Sequence, residues 1–118
     1  MFSRQGRSWP RAVRLRTRRE FVAVQQRGRR VAGRYFVALV APAQGAHGRI
    51  GITVSKRVGN AVTRNRVKRW VREAVRQAAD GVWLPRDTDV VIVAKASAAR
   101  APGFAAIAAD LADIGRRA

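Results

Sequence analysis

The chain has 118 residues, the size of one domain, long enough to bury a core and too short to divide comfortably into two. It carries 25 Lys and Arg against seven Asp and Glu, a formal net charge of +18, and it has no cysteine, which excludes disulfides, thiolate metal sites and cysteine nucleophiles together. So lopsided a charge opposes a compact state unless a polyanion neutralises it, which makes nucleic acid the leading partner and an anionic membrane surface the second.

Residues 1–16 are basic, with Pro10 and no apolar period, and read as a tail ordered only by a partner. They lack the apolar run of a secretory signal, and no segment approaches the length of a membrane span, so the cytoplasm is the expected compartment, with an Arg-rich, acid-poor transit peptide as the alternative reading of the start. The single domain is expected over 17–118. At Thr17 the pattern Thr-Arg-Arg-Glu is a capping box, so a helix starts there and runs to about Arg27 with Phe21 and Val24 inward. Gly28 is expected to close it in the left-handed conformation.

Residues 34–41 read as a strand, with Tyr35, Val37 and Leu39 on one face and Phe36, Ala38 and Val40 on the other. The turn residues Pro42 to Gly48 return the chain into a second strand over 49–55, and the two are expected to pair as a hairpin. Ile50, Ile52 and Val54 form its apolar face. Gly51, Thr53 and Ser55 form a shallow face on which a ligand can lie.

The segment 59–77 carries Arg64, Arg66, Lys68, Arg69, Arg72 and Arg76 against one acid, Glu73. Placed on a helix over 65–78, Val67, Trp70, Val71, Ala74, Val75 and Ala78 share one arc, and Asn65, Lys68, Arg69, Arg72 and Arg76 share the opposite one. A solvated helix face would alternate Glu with Lys; a row of cations on a rigid face matches a phosphate backbone. Lys56 and Arg57, followed by Gly59 and Asn60, add a basic turn at the helix start, itself attractive to phosphate. Residues 89–94 read as a strand buried on both faces, and Phe104, Ile107, Leu111 and Ile114 as the inner stripe of a closing helix with Asp110 and Asp113 outside.

No catalytic constellation emerges. His47 is the only histidine and stands in a turn, Asp87 and Asp89 read as turn and edge residues, Trp70 and Trp83 as core aromatics, and Trp9 as a residue able to stack on a base. A structural RNA-binding protein, a self-contained nuclease and a DNA-binding helix are the competing readings. The first has no need of an uncharged face beside Phe21, the second lacks an acid cluster, and the third lacks a partner helix at short spacing.

The run Arg49 to Arg76, with its Arg64-Asn65-Arg66 core, resembles the protein subunit of bacterial ribonuclease P, and Glu20 to Val24, Arg34 to Val37 and Asp89 to Lys95 support the likeness. The resemblance implies an α+β fold in the order α-β-β-β-α-β-α, a small central sheet with packed helices and a left-handed βαβ crossover against the usual handedness. It implies an RNA-binding subunit that helps a catalytic RNA, with Mg²⁺ held mainly by that RNA, to remove the 5′ leader of precursor tRNA, in one-to-one partnership and away from membranes. No catalytic or metal-ligating side chain is expected in the chain. Lys56, Arg57, Asn60, Arg64, Asn65, Arg66, Lys68, Arg69 and Arg72 would face the catalytic RNA, Arg64 lying near the mouth of a leader cleft. Phe21, Val37, Leu39 and Thr53 would line that cleft. Gln25 and Leu39 stand where some members carry aromatics, so leader contact would rest less on stacking.

Overall fold

A computed structural model describes residues 15, 17–45, 48–77 and 87–118, and its first helix, α1 (Arg18–Arg27), begins where the capping box places it. The Glu20 N–H donates to the Thr17 hydroxyl at 3.2 Å and the Thr17 N–H donates to the Glu20 carboxylate at 3.0 Å, so two helix-end donors are satisfied reciprocally. The helix ends at Gly28 in extended backbone (φ −80°, ψ 149°), not in the expected left-handed conformation. Glycine is needed there for a different reason. A Cβ on Gly28 would lie 2.5 Å from the Val24 carbonyl oxygen and 3.2 Å from the Val40 nitrogen, both immovable backbone.

The chain passes directly into β1 (Arg29–Ala32), then β2 (Phe36–Pro42), β3 (Ile50–Thr53), helix α2 (Ala61–Gln77), β4 (Thr88–Ala94), a short 3-10 helix (Ala96–Arg100) and helix α3 (Phe104–Arg117). The order is α-β-β-β-α-β-α, the mixed α+β arrangement implied by the resemblance. The third strand before α2, invisible to the strand signals, is β1, whose Arg29 and Arg30 hide its period.

The sheet order is β1-β2-β4-β3. The expected β2–β3 hairpin does not form, because β4 inserts between the two strands, antiparallel to β2 and parallel to β3. An apolar strand that buries both faces is worth most at the centre of a sheet, and β4 takes that place. β3 and β4, being parallel, are joined by the crossover through α2.

One face of the sheet, with Phe36, Ala38, Ile50, Val90, Ile92 and Ala94, packs against Val67, Val71 and Val75 of α2 and Ile107, Leu111 and Ile114 of α3. Burial of each large apolar side chain contributes about 1.5–3 kcal/mol, against a few tenths for each like-charge i,i+4 pair, so α2 holds its cations in place. The other face is covered by α1, with Leu15, Val24, Ala41 and Val91 at the centre and Phe21, Leu39 and Val93 around them. Leu15 therefore belongs to the packed body, not to a free tail: it is buried, and its N–H donates to the Ile50 carbonyl at 2.9 Å.

Two aspartates read as peripheral are internal fasteners. Asp89 is 2% exposed within β4 and accepts the Arg49 N–H at 3.0 Å, anchoring the entry to β3. Asp110, expected on the outer side of α3, accepts from the Arg34 and Tyr35 N–H groups at 2.7 and 2.9 Å and pins the β1–β2 turn to that helix. Asp113 behaves as expected of an outward residue, pairing with Arg116 and Arg117. The tail residues 1–14 and 16, and the readings of His47, Ala78 and Trp83, lie outside the described residues.

Candidate nucleic-acid interface

Helix α2 begins at Ala61, four residues earlier than its apolar period suggests, because Asn60 caps it: its side-chain oxygen accepts the Thr63 N–H at 3.0 Å. Gly59 makes the bend before that cap with φ +155°, a conformation that disfavours side chains, and a Cβ there would also press on Thr63 at 3.1 Å. Ahead of it, the Val58 N–H donates to the Ser55 carbonyl and the Arg57 N–H to the Ser55 hydroxyl, so the turn carrying Lys56 and Arg57 is tied to the end of β3. Asn60 is thus both a helix cap and an exposed member of the basic surface.

At about 100° per residue the cations of α2 do not form one comb but three groups. Arg69 and Arg72 ride the exposed crest beside the neutral Asn65; Arg64 and Lys68 lie on one flank, half-buried; Arg66 lies on the other, its guanidinium 5.2 Å from the centre of the Trp70 ring. That contact holds the Arg66 guanidinium against the ring. Among the described residues none of Lys56, Arg57, Arg64, Arg66, Lys68, Arg69 and Arg72 forms an ion pair, and the Nε atoms of Arg64 and Arg66 are buried without a hydrogen-bond partner. Arg76, by contrast, bonds to Glu73 through its guanidinium. The hydrogen bond from Arg76 holds the Glu73 carboxyl below its ordinary value against the opposing effect of burial, with a lesser contribution from the Gln77 hydrogen bond.

The second surface lies on the α1 face of the sheet. Strand register arranges it in cross-strand rows: Arg30, Leu39, Val91 and Gly51 form one, and Ala32, Val37, Val93 and Thr53 form the next. The first row is roofed by α1. Its Gly51 is not open space for a ligand, as its small size suggests, but the seat of Phe21: a Cβ on Gly51 would lie 2.6 Å from the Phe21 ring. The second row is only partly covered. Ala32 is exposed, Val93 and Thr53 are half-buried, and Val37 is 6% exposed. The four expected cleft residues are therefore on the same side of the sheet: Val37, Leu39 and Thr53 project from the strands, and Phe21 comes from the helix that covers them.

Val93, which the sequence pattern assigns to the core, stands half-buried between Val37 and Thr53 and completes that row. Its signal was the alternation Asp89, Val91, Val93 on one face of a strand whose uniform apolarity hid it. A further contact, from Arg49 to Glu20, ties β3 to the first turn of α1 and so fixes where Phe21 sits. No group of three His, Cys, Asp or Glu gathers among the described residues.

A family model described as Ribonuclease P matches residues 9–118. The chain belongs to the ribonuclease P protein family. Similar relatives include the ribonuclease P protein component of Desulfatibacillum aliphaticivorans, 49% identical over 84 residues that span 71% of each chain. That of Desulfovibrio desulfuricans is 43% identical over 111 residues, 92% of this chain and 84% of its own. Among solved structures, the RNase P protein of Staphylococcus aureus superposes with a TM-score of 0.80 at 29% identity, covering 91% of this chain and 95% of the other. The RNase P protein of Thermotoga maritima gives 0.76 at 31% identity, covering 89% and 96%. Membership makes the chain a component of a ribonucleoprotein enzyme, partnered by the RNA subunit of ribonuclease P and engaged in tRNA processing.

Proposed function

We propose that this ribonuclease P protein works through two separate RNA contacts. The α2 surface, with Lys56, Arg57, Asn60, Arg64, Asn65, Arg66, Lys68, Arg69 and Arg72, neutralises phosphates of the catalytic RNA. The floor of Val37, Val93 and Thr53 beside Phe21 and Leu39 receives the single-stranded 5′ leader of precursor tRNA. Hydrolysis belongs to the RNA and to Mg²⁺ ions it holds, one protein serves one RNA, and the assembly acts in the cytoplasm. The protein's chemical contribution is electrostatic: cations on a preformed face release counterions when phosphates bind, which lowers the demand for free Mg²⁺.

The observation that carries this reading is the contrast between the two surfaces. One carries cations on the crest and both flanks of a single helix, without ion pairs among Lys56, Arg57, Arg64, Arg66, Lys68, Arg69 and Arg72; the other is an uncharged row of strand residues beside the Phe21 ring. Phosphates suit the first, and unstacked bases suit the second.

The test separates them. Arg66→Ala and Arg69→Ala should weaken binding to the catalytic RNA, whereas Phe21→Ala should mainly weaken binding of leader-bearing substrate to the assembled holoenzyme. Equal effects of all three substitutions on both affinities would refute the two-contact reading.

A further inference from the structure

We infer that Arg30 sets leader-length preference by holding a phosphate where the leader leaves the sheet over β1. This inference rests on the proposed leader floor. β1 is an edge strand, and its Arg30 lies directly opposite Leu39 of β2, so the two side chains point to the same face. Leu39 packs in the α1-side cluster, whereas Val31, the next residue of β1, packs in the opposite core. Arg30 therefore stands on the leader face and Arg29, like Val31, on the other.

Arg30 is exposed and takes part in no ion pair among the described residues. It is set one row back from Ala32, the outermost residue of the floor, so its long side chain can reach over that end. None of Ala32, Val37, Val93 and Thr53 carries charge, and Lys56 and Arg57 follow Thr53 in the turn beyond β3, along the strand direction. Three strand spacings of about 4.8 Å make the floor about 14 Å across, so only a leader long enough to cross all four strands brings a phosphate to Arg30. Leu39 is packed beneath α1, so in that row the exposed guanidinium of Arg30 is the group able to reach a phosphate.

The experiment measures binding of precursor tRNA to the holoenzyme, using leaders of about two and about ten nucleotides, the first too short to span the floor. Wild type should prefer the longer leader. Arg30→Ala should lose about 5- to 10-fold in affinity for the long-leader substrate, flatten its salt dependence by about 0.7 in log–log slope, and leave the short-leader substrate unchanged. Arg30→Lys should recover most of the loss, and Arg29→Ala, which removes the same charge from the other face, should match wild type. Wild-type discrimination that survives intact in Arg30→Ala, or an equal loss in Arg29→Ala, would overturn the role of Arg30 while leaving the leader floor standing. No discrimination by wild type would overturn the floor and Arg30 together.

Discussion

Phe21 of α1 occupies the space that the missing side chain of Gly51 leaves on β3, with only 2.6 Å between its ring and the position a Cβ would take. The helix can lie this close to the sheet because that residue is glycine, and the ring borders the proposed leader floor. Gly51→Ala must displace the ring or lift α1. It should cost about 1–3 kcal/mol in urea unfolding. It should also weaken leader-bearing substrate while leaving affinity for the catalytic RNA unchanged, as measured by titration of each with the purified variant.

Removal of a cation should be felt according to its surroundings. Arg69→Ala takes an unpaired charge from the crest of α2 and should make the log–log salt slope of RNA-subunit binding shallower by about 0.7–0.9. Arg116→Ala removes the same charge from the end of α3, where Asp113 lies 3.6 Å away, and should leave the slope unchanged. Binding titrations at several salt concentrations check both.

The Asp110 clasp concerns stability and not binding. Asp110→Ala leaves the Arg34 and Tyr35 N–H groups without their acceptor and should lower unfolding free energy by about 1–3 kcal/mol. The urea midpoint should fall with an unchanged m-value, and affinity for the catalytic RNA should persist below the unfolding range.

Glu73 supplies a pH-dependent increment. Its carboxyl is held below the 4.5 of the unfolded chain, so its stabilising effect is fully present above 4.5 and disappears as pH falls through the lowered folded value. Because the pair is partly exposed, the increment is about 1 kcal/mol or less. Glu73→Gln should therefore be less stable than wild type at neutral pH, and the difference should vanish in acid, as read from urea midpoints across that range.

What the sequence made legible was local. The Thr17 and Glu20 capping box, the stripe Val67, Val71, Ala74 and Val75, and the closing helix through Ile107, Leu111 and Ile114 depend on spacing within a few turns, and all three are present. What escaped was set by distant partners. β1 carries Arg29 and Arg30 and is recognised as a strand only because β2 pairs with it; β4 separates β2 from β3 because a doubly buried strand belongs in the middle. The same holds for the site. The cations of α2 could be read from the sequence, but the filling of Gly51 by Phe21, the position of Val93 between Val37 and Thr53 and the division of Arg64 from Arg66 onto opposite flanks depend on packing and register.

The most direct test of the account is cleavage of a precursor tRNA at low Mg²⁺ by the catalytic RNA from the same source, with and without this protein, beside the protein alone. The account predicts cleavage only when RNA and protein are combined. Failure of the protein to restore cleavage, or cleavage by the protein alone, would contradict it.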